Sequence, residues 1–163
     1  MFTMGIDLAR PPETVWTYLV DWERLDRWMR EGADFRVVGD RREGVGVVAE
    51  ATISIAGIST RDSIRVSRWE PPAVLEVEHL GWVKGSGYME LGPTEHGSHL
   101  FWRESLKPPL GVLGRLGMRM LSRTIRRTFR RDLELLRALV EEGGPGGKQP
   151  RERSERIRPA GGA

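Results

Sequence analysis

Three ionisable side chains, Asp62, His79 and Glu104, interrupt strand patterns that are otherwise apolar on one face. Each stands where the alternation of its strand predicts an inward-facing apolar residue. In an apolar pocket, burial raises the pKa of a carboxylic acid and keeps an imidazole neutral, so an Asp/His or Glu/His pair could exchange protons with an enolisable substrate. A structural alternative stays open, in which each residue turns to solvent at a strand end or is buried against a polar neighbour.

A second set of residues has the size and shape to form the wall of a ligand cavity. Large aromatic rings and flexible apolar side chains offer broad contact area to a small molecule, although core packing explains them equally well. Tyr88 and Arg103 join the set because a register shift of one residue would exchange the faces of their strands. The predicted ligand-binding residues are Trp28, Trp82, Tyr88, Trp102, Arg103, Met118, Leu121 and Ile125.

Other kinds of site find little support in the sequence. The chain has no cysteine, which excludes a disulfide, a thiolate zinc site and a cysteine nucleophile. His79, His96 and His99 lack the helical spacing with a carboxylate that many metal sites share. The glycine pairs at 44–46 and 85–87 have no following helix to bind a phosphate. We therefore predict neither a metal nor a cofactor.

The elements that must position these residues begin with a strand. Apolar and polar residues alternate over Phe2–Leu8, which predicts a half-buried strand. Two prolines end it, and amphipathic spacing predicts short helices over 13–20 and 22–29. Strand patterns separated by turn residues then follow at 35–38, 45–55, 58–69, 74–80, 85–91 and 98–106. Short connections between successive strands predict an antiparallel meander.

A long helix is predicted after Pro108 and Pro109, and it extends to about Glu142. Glycines at 111, 114 and 117 weaken its start and permit close approach to another surface. Its apolar stripe contains Met118, Leu121, Ile125, Phe129, Leu136 and Val140, and its opposite side carries Arg115, Arg119, Arg123, Arg126, Arg127, Arg130 and Arg131.

This order of elements is an α+β layout in which the last helix must cover one face of the sheet. A sheet too curved to meet the helix along its whole length leaves a concave apolar space, and such spaces are common ligand sites. The arginine face could contact an anionic partner, such as an acidic protein or a phospholipid surface, but a solvated face is the simpler interpretation.

The net charge of +3 comes from the end of the chain. Residues 1–142 hold 21 basic and 21 acidic side chains, so this part is neutral and no nucleic-acid partner is expected. Residues 143–163 are rich in Gly, Pro and Arg, which predicts a disordered tail after a single domain over 1–142. Because the chain has neither a signal pattern nor the run of about 20 apolar residues that spans a bilayer, we expect a cytoplasmic protein.

Two stretches of sequence resemble the START-like, or SRPBCC, superfamily. The first is IDLARPPETVW at 6–16 with Leu19, Asp21, Trp22, Glu23 and Trp28, and the second is PPLGVLGRL at 108–116 followed by RDLELL at 131–136. The second is similar to the closing helix of the polyketide cyclase/dehydrase and lipid-transport branch. The resemblance implies a helix-grip (START/Bet v 1-like) fold, in which a curved antiparallel sheet surrounds a long C-terminal helix, and an apolar cavity.

Three functions remain open at this point. The first is a carrier or binding protein for a hydrophobic small molecule, such as a lipid or a polyketide. The second is a polyketide cyclase or dehydratase that uses His79 with Asp62 or Glu104 as acid and base. The third is a non-catalytic module that docks a partner through the arginine-rich helix.

Overall fold

The computed structural model describes residues 1–55, 57–107 and 111–143, without the side chains of residues 55, 58, 115 and 118. Ten elements follow one another within these described ranges. They are β1 (Phe2–Leu8), α1 (Pro12–Leu19), a 3-10 helix (Trp22–Arg27), β2 (Gly32–Val38), β3 (Val48–Ile55), β4 (Ile58–Glu70), β5 (Val74–His79), β6 (Lys84–Thr94), β7 (Gly97–Lys107) and α2 (Gly111–Glu142).

The seven strands form one antiparallel sheet in the order β1-β7-β6-β5-β4-β3-β2. Strands β2 to β7 are successive hairpins, and β1 pairs with β7. The ladder is irregular between Ala33 and Arg36 and between Val66 and Arg68, and such irregularities bend a sheet. The predicted α+β helix-grip fold, with its antiparallel meander and long last helix, is confirmed.

Helix α2 is packed into the core mainly through its second half. The side chains buried there contact the aromatic and aliphatic residues of β1, α1 and β7. The first half of the helix instead exposes several large apolar residues, namely Val112, Leu113, Leu116 and Met120. Those that are buried in the second half are Ile125, Phe129, Leu133, Leu136 and Val140.

Three strand ends differ from the prediction by three residues each. The strand expected from residue 35 begins at Gly32. The strand expected from residue 45 begins at Val48, because Gly44 and Gly46 have φ values of 87° and 90° and form a turn. The strand expected to end at residue 91 continues to Thr94. Pro93 is tolerated there because β5 pairs with β6 only as far as Glu90, so one edge of β6 is unpaired at the proline.

Apart from Gly143, the predicted tail at 143–163 lies outside the described residues, so the division into a domain and a tail stays a prediction. Helix α2 ends at Glu142. None of the helices in the described ranges is long and apolar enough to cross a membrane.

Candidate functional site

A cavity of about 340 Å³ lies between the sheet and the first half of α2. Its size falls within the range of small-molecule sites. Apolar side chains form most of its wall, and a few polar groups interrupt them. The apolar part includes Leu25, Phe35, Ile64, Leu106, Leu121 and Phe129.

Gly117 forms part of the cavity's roof on α2. A Cβ atom placed on this residue would meet no atom within 4 Å. The glycine was expected to permit close approach to another surface, but it faces empty space. A glycine inside a helix costs about 1 kcal/mol relative to alanine. The chain therefore keeps the space open at a position where a larger side chain would also stabilise the helix.

The three predicted acid and base residues meet at one wall of this cavity. Nδ1 of His79 lies 3.3 Å from Oδ2 of Asp62, and Nε2 of His79 lies 2.6 Å from Oε1 of Glu104. The second oxygen of Glu104 accepts a hydrogen bond of 3.0 Å from Nε1 of Trp102. The Asp62–His79–Glu104 triad is thus a closed network, in which both ring nitrogens of the histidine have a carboxylate partner.

Strand register brings the triad together. His79 on β5 pairs with Ile64 on β4, so Asp62 is its diagonal neighbour on the same face. Glu104 on β7 is separated from β5 by the whole of β6, where it pairs with Gly87. The Glu104 carboxylate passes over Gly87, since a Cβ there would lie 2.9 Å from Oε2 of Glu104. A glycine on β6 is what allows contact between side chains on the two strands that flank it.

The charge state of His79 differs from the expectation of a neutral imidazole. Burial lowers its pKa, but hydrogen bonds to Asp62 and Glu104 and the negative charges of both carboxylates outweigh burial and raise the pKa to about 9. His79 is therefore an imidazolium at neutral pH, and both its N–H groups donate to carboxylates. No group of three or more His, Cys, Asp or Glu in the described residues is arranged to hold a metal ion.

Gly87→Ala is expected to disturb the triad, although residue 87 is not one of its members. The new methyl group would lie 2.9 Å from Oε2 of Glu104 and 3.2 Å from Cγ2 of Val77. We expect a loss of about 1 to 2 kcal/mol in the free energy of unfolding and a lower pKa of His79, followed by NMR titration of the imidazole. Gly92→Ala on the same strand is the control, because its Cβ meets nothing within 4 Å. Equal effects of the two variants would contradict this account.

The predicted wall residues are only partly found at the cavity. Trp82, Trp102, Leu121 and Ile125 line it, and Trp82, 58% exposed, stands where the cavity meets solvent. That these residues bind a ligand remains a prediction. The side chain of Met118 lies outside the described residues.

Three wall predictions are corrected by the structure. Trp28 is buried in the core, where its ring packs edge-on against Trp102, and it does not line the cavity. Tyr88 and Arg103 face each other on the opposite side of the sheet, with the guanidinium 4.8 Å from the ring centroid. Their strands alternate so that Gly87, Trp102 and Glu104 face inward, and the register shift that would have turned them does not occur.

Glu31 is a polar wall residue that the sequence analysis missed. It is 7% exposed and lines the cavity, and its carboxyl group neighbours that of Asp132, which is fully buried on α2. Burial, together with the neighbouring carboxyl group of Asp132, raises the pKa of Glu31 to about 9. Glu31 therefore keeps its proton at neutral pH. Glu31 precedes β2, where no strand alternation marks it.

A larger surface groove, of about 680 Å³, lies beside the connection from β1 to α1 and the turn between β6 and β7. Its residues belong mostly to turns, and many of them are exposed, including Pro11 and His96. The cavity under α2 is the better candidate site, because an apolar wall with few polar groups is what small-molecule sites share.

The arginine face of α2 is turned to solvent wherever its side chains are described. Arg119, Arg123, Arg127 and Arg130 are exposed, and Arg126 lies over the ring of Phe2 at 5.5 Å. The structure thus contains the face that the sequence predicts. No partner on it is identified by these contacts.

Comparison with known sequences relates the chain to one family and to mycobacterial proteins. The family described as "Polyketide cyclase / dehydrase and lipid transport" matches residues 1–141. Toxin Rv0910 of Mycobacterium tuberculosis (strain ATCC 25618 / H37Rv) is 28% identical over 132 residues, which is 80% of this chain and 90% of that protein.

Solved structures with the same fold include two bacterial proteins. The crystal structure of TTHA0849 from Thermus thermophilus has a TM-score of 0.75 at 16% identity, covering 87% of this chain and 97% of that one. The Zhui aromatase/cyclase from Streptomyces sp. R1128 has a TM-score of 0.70 at 17% identity, covering 90% and 98%. At these identities the likeness concerns the fold.

Proposed function

The chain belongs to the polyketide cyclase / dehydrase and lipid transport family, and we propose that it binds a hydrophobic small molecule in the cavity under α2, as a carrier or binding protein. The observation that carries this proposal is the cavity itself, about 340 Å³ of space with a mainly apolar wall. Burial of a ligand there is favourable by about 25 cal/mol per Å² of apolar surface removed from water.

Gly117→Phe tests the proposal because Gly117 lines the cavity and a Cβ atom at this position has open space around it. We expect the affinity for a neutral apolar probe, 2-methylnaphthalene, to fall at least tenfold, while the free energy of unfolding is unchanged or higher. Binding is measured by the fluorescence of the probe, and unfolding by urea titration.

Gly117→Ala is the matched control for this experiment. It gives a similar gain in helix propensity, about 1 kcal/mol, but adds only one methyl group to the cavity. Its affinity for 2-methylnaphthalene should stay within about threefold of the original. If Gly117→Phe binds the probe as well as Gly117→Ala does, the cavity is not the binding site. Mass spectrometry of an organic extract of the purified protein would then identify any natural ligand.

A cyclase or dehydratase activity is the first alternative, and the triad in the cavity wall is the observation that favours it. Acid and base catalysis needs a group that can give or take a proton from the substrate. Both N–H groups of His79 already donate to Asp62 and Glu104, which favours a structural role for the triad and a binding role for the cavity. Turnover of an enolisable ligand that is lost in His79→Gln would reverse this preference.

A toxic activity is a second alternative, suggested by the names of the mycobacterial relatives. If this chain shares it, induced expression should slow the growth of its bacterial host. Gly117→Phe separates two ways in which this could happen. Toxicity that disappears in the variant would depend on the cavity, whereas toxicity that persists would favour a docking surface such as the arginine face of α2.

A further inference from the structure

Glu31 and Asp132 form a buried carboxyl pair that the triad and the apolar wall do not explain. Asp132 lies behind Glu31 on α2, is fully buried, and does not line the cavity, whereas Glu31 does. Oε2 of Glu31 and Oδ2 of Asp132 are buried, and neither has a hydrogen-bond partner among the described residues. A proton that Glu31 holds toward Asp132 is the donor that this carboxyl pair lacks.

The carboxyl groups of Glu31 and Asp132 can offer a ligand hydrogen-bond acceptors but no free donor. Its only proton is used between the two carboxyl groups, and Oδ1 of Asp132 already accepts from the backbone N–H of Arg30 at 3.3 Å. Each carboxyl oxygen has two acceptor positions. Toward the cavity, Glu31 therefore has spare acceptor capacity and no spare donor.

The triad offers the cavity the same kind of group. The N–H groups of His79 are used by its two carboxylate partners. Oδ1 of Asp62 accepts from the backbone N–H of Ser63 at 2.9 Å, and Oε2 of Glu104 accepts from Trp102. What remains available on these carboxylates is again acceptor capacity.

We propose that the cavity selects, through Glu31, an apolar ligand that carries a hydrogen-bond-donating hydroxyl or amine group, and that it disfavours ligands with a carboxylate. This inference rests on the proposed function, since it assumes that an apolar molecule enters the cavity. A ligand hydroxyl or N–H group satisfies an acceptor that would otherwise be left without a partner on displacement of water.

Charge supports the exclusion of anions. Two carboxyl groups, those of Asp62 and Glu104, face a single imidazolium, and the carboxyl groups of Glu31 and Asp132 neighbour each other. The cation nearest to the pair, Nη2 of Arg131, lies 3.9 Å from Oδ1 of Asp132, and its side chain is 58% exposed. A ligand carboxylate would lose its hydration and meet negative charge on two sides of the cavity.

Four naphthalene probes of similar shape test the inference: 2-methylnaphthalene, 2-naphthol, 2-naphthylmethylamine and 2-naphthoate. Affinities are measured by fluorescence at pH 7 for the original protein, for Glu31→Met and for Glu31→Gln. We expect Glu31→Met to bind 2-naphthol at least tenfold more weakly than the original protein does, and to bind 2-methylnaphthalene with an affinity within threefold of the original. Glu31→Gln keeps a carbonyl acceptor, so its affinity for 2-naphthol should stay within threefold of the original. 2-Naphthylmethylamine is a cation at pH 7, whereas 2-naphthol is a neutral hydrogen-bond donor. Comparing their affinities separates a preference for positive charge from a preference for any hydrogen-bond donor.

The outcomes distinguish failure of this inference from failure of the proposed function. Absence of binding by 2-methylnaphthalene to the original protein would overturn both. Binding of 2-methylnaphthalene together with equal losses of both probes in Glu31→Met would overturn the role of Glu31 alone. If Glu31→Met does not fold, the original protein still decides, because 2-naphthoate that binds as tightly as 2-naphthol contradicts the inference.

Discussion

Glu104→Ala is expected to lower the free energy of unfolding by about 4 kcal/mol, the cost of removing one partner from a buried ion pair. Glu104 is buried, accepts from His79 at 2.6 Å and from Trp102 at 3.0 Å. Its removal leaves an imidazolium with one carboxylate and an indole N–H without an acceptor. Urea titration followed by tryptophan fluorescence measures the loss.

Two matched variants separate charge from packing. Glu104→Gln keeps an acceptor for the indole N–H and removes the negative charge, so we expect a smaller loss and a clear fall in the pKa of His79 from about 9. Glu78→Ala on β5 removes an exposed ion pair with Arg65 and should cost less than about 1 kcal/mol.

The result that contradicts this account is a Glu104→Ala protein as stable as Glu78→Ala, with the pKa of His79 unchanged. The network would then be absent in solution. Asp62→Asn is an intermediate case, because its contact with His79 is longer, at 3.3 Å. If Asp62→Asn lowers the free energy of unfolding by more than Glu104→Ala does, then Asp62, and not Glu104, is the main stabilising carboxylate of the triad.

Local pattern was sufficient to predict the order of strands and helices and to single out the three residues of the triad. The seven strands carry a period of two, and α2 carries a helical stripe, so both kinds of element could be located from the sequence. Asp62, His79 and Glu104 stood out because each interrupts an apolar face. That they form one network depends on register across three ladders and on Gly87, which the pattern of any one strand does not contain.

The remaining site residues depend on contacts that local pattern does not encode. Glu31 lies between the 3-10 helix and β2 and finds its partner Asp132 on the last helix. Asp132 itself could be suspected, since it falls on the buried side of α2 among Phe129 and Leu136. Trp28 has the chemistry of a cavity residue, but tertiary packing against Trp102 places it behind the wall.

Helix α2 divides the molecule into a packed half and a hollow half. Leu133, Leu136 and Val140 are almost fully buried, whereas Gly117 faces empty space. Buried contacts are therefore concentrated at the second half of the helix, and the empty space at the first. We accordingly expect substitutions at Gly117 to change binding in the cavity without a matching loss of stability.

Glu31→Gln is expected to stabilise the protein at neutral and alkaline pH. The folded protein keeps the Glu31 proton up to a pKa of about 9, while an unfolded chain releases it near the ordinary value of 4.5. The folded state therefore binds more protons between these pH values, and the free energy of unfolding falls as pH rises, by about 1.4 kcal/mol per pH unit for one proton. Glutamine cannot ionise, so this loss disappears in the variant.

The size of the gain and its pH dependence are the measurements that decide. At pH 7 we expect Glu31→Gln to be more stable by roughly 3 kcal/mol, and at pH 4 to match the original protein. The facing groups, Asp132 and Arg131, are unchanged. His79 causes a separate fall in the free energy of unfolding between pH 6.5 and about 9. Its raised pKa stabilises the folded state fully below pH 6.5, and this stabilisation is lost as the pH rises through about 9. The pH dependence due to His79 should persist in Glu31→Gln and disappear in His79→Gln. If the stability difference between Glu31→Gln and the original protein is the same at pH 7 as at pH 4, Glu31 is ionised in the folded state and the prediction is wrong.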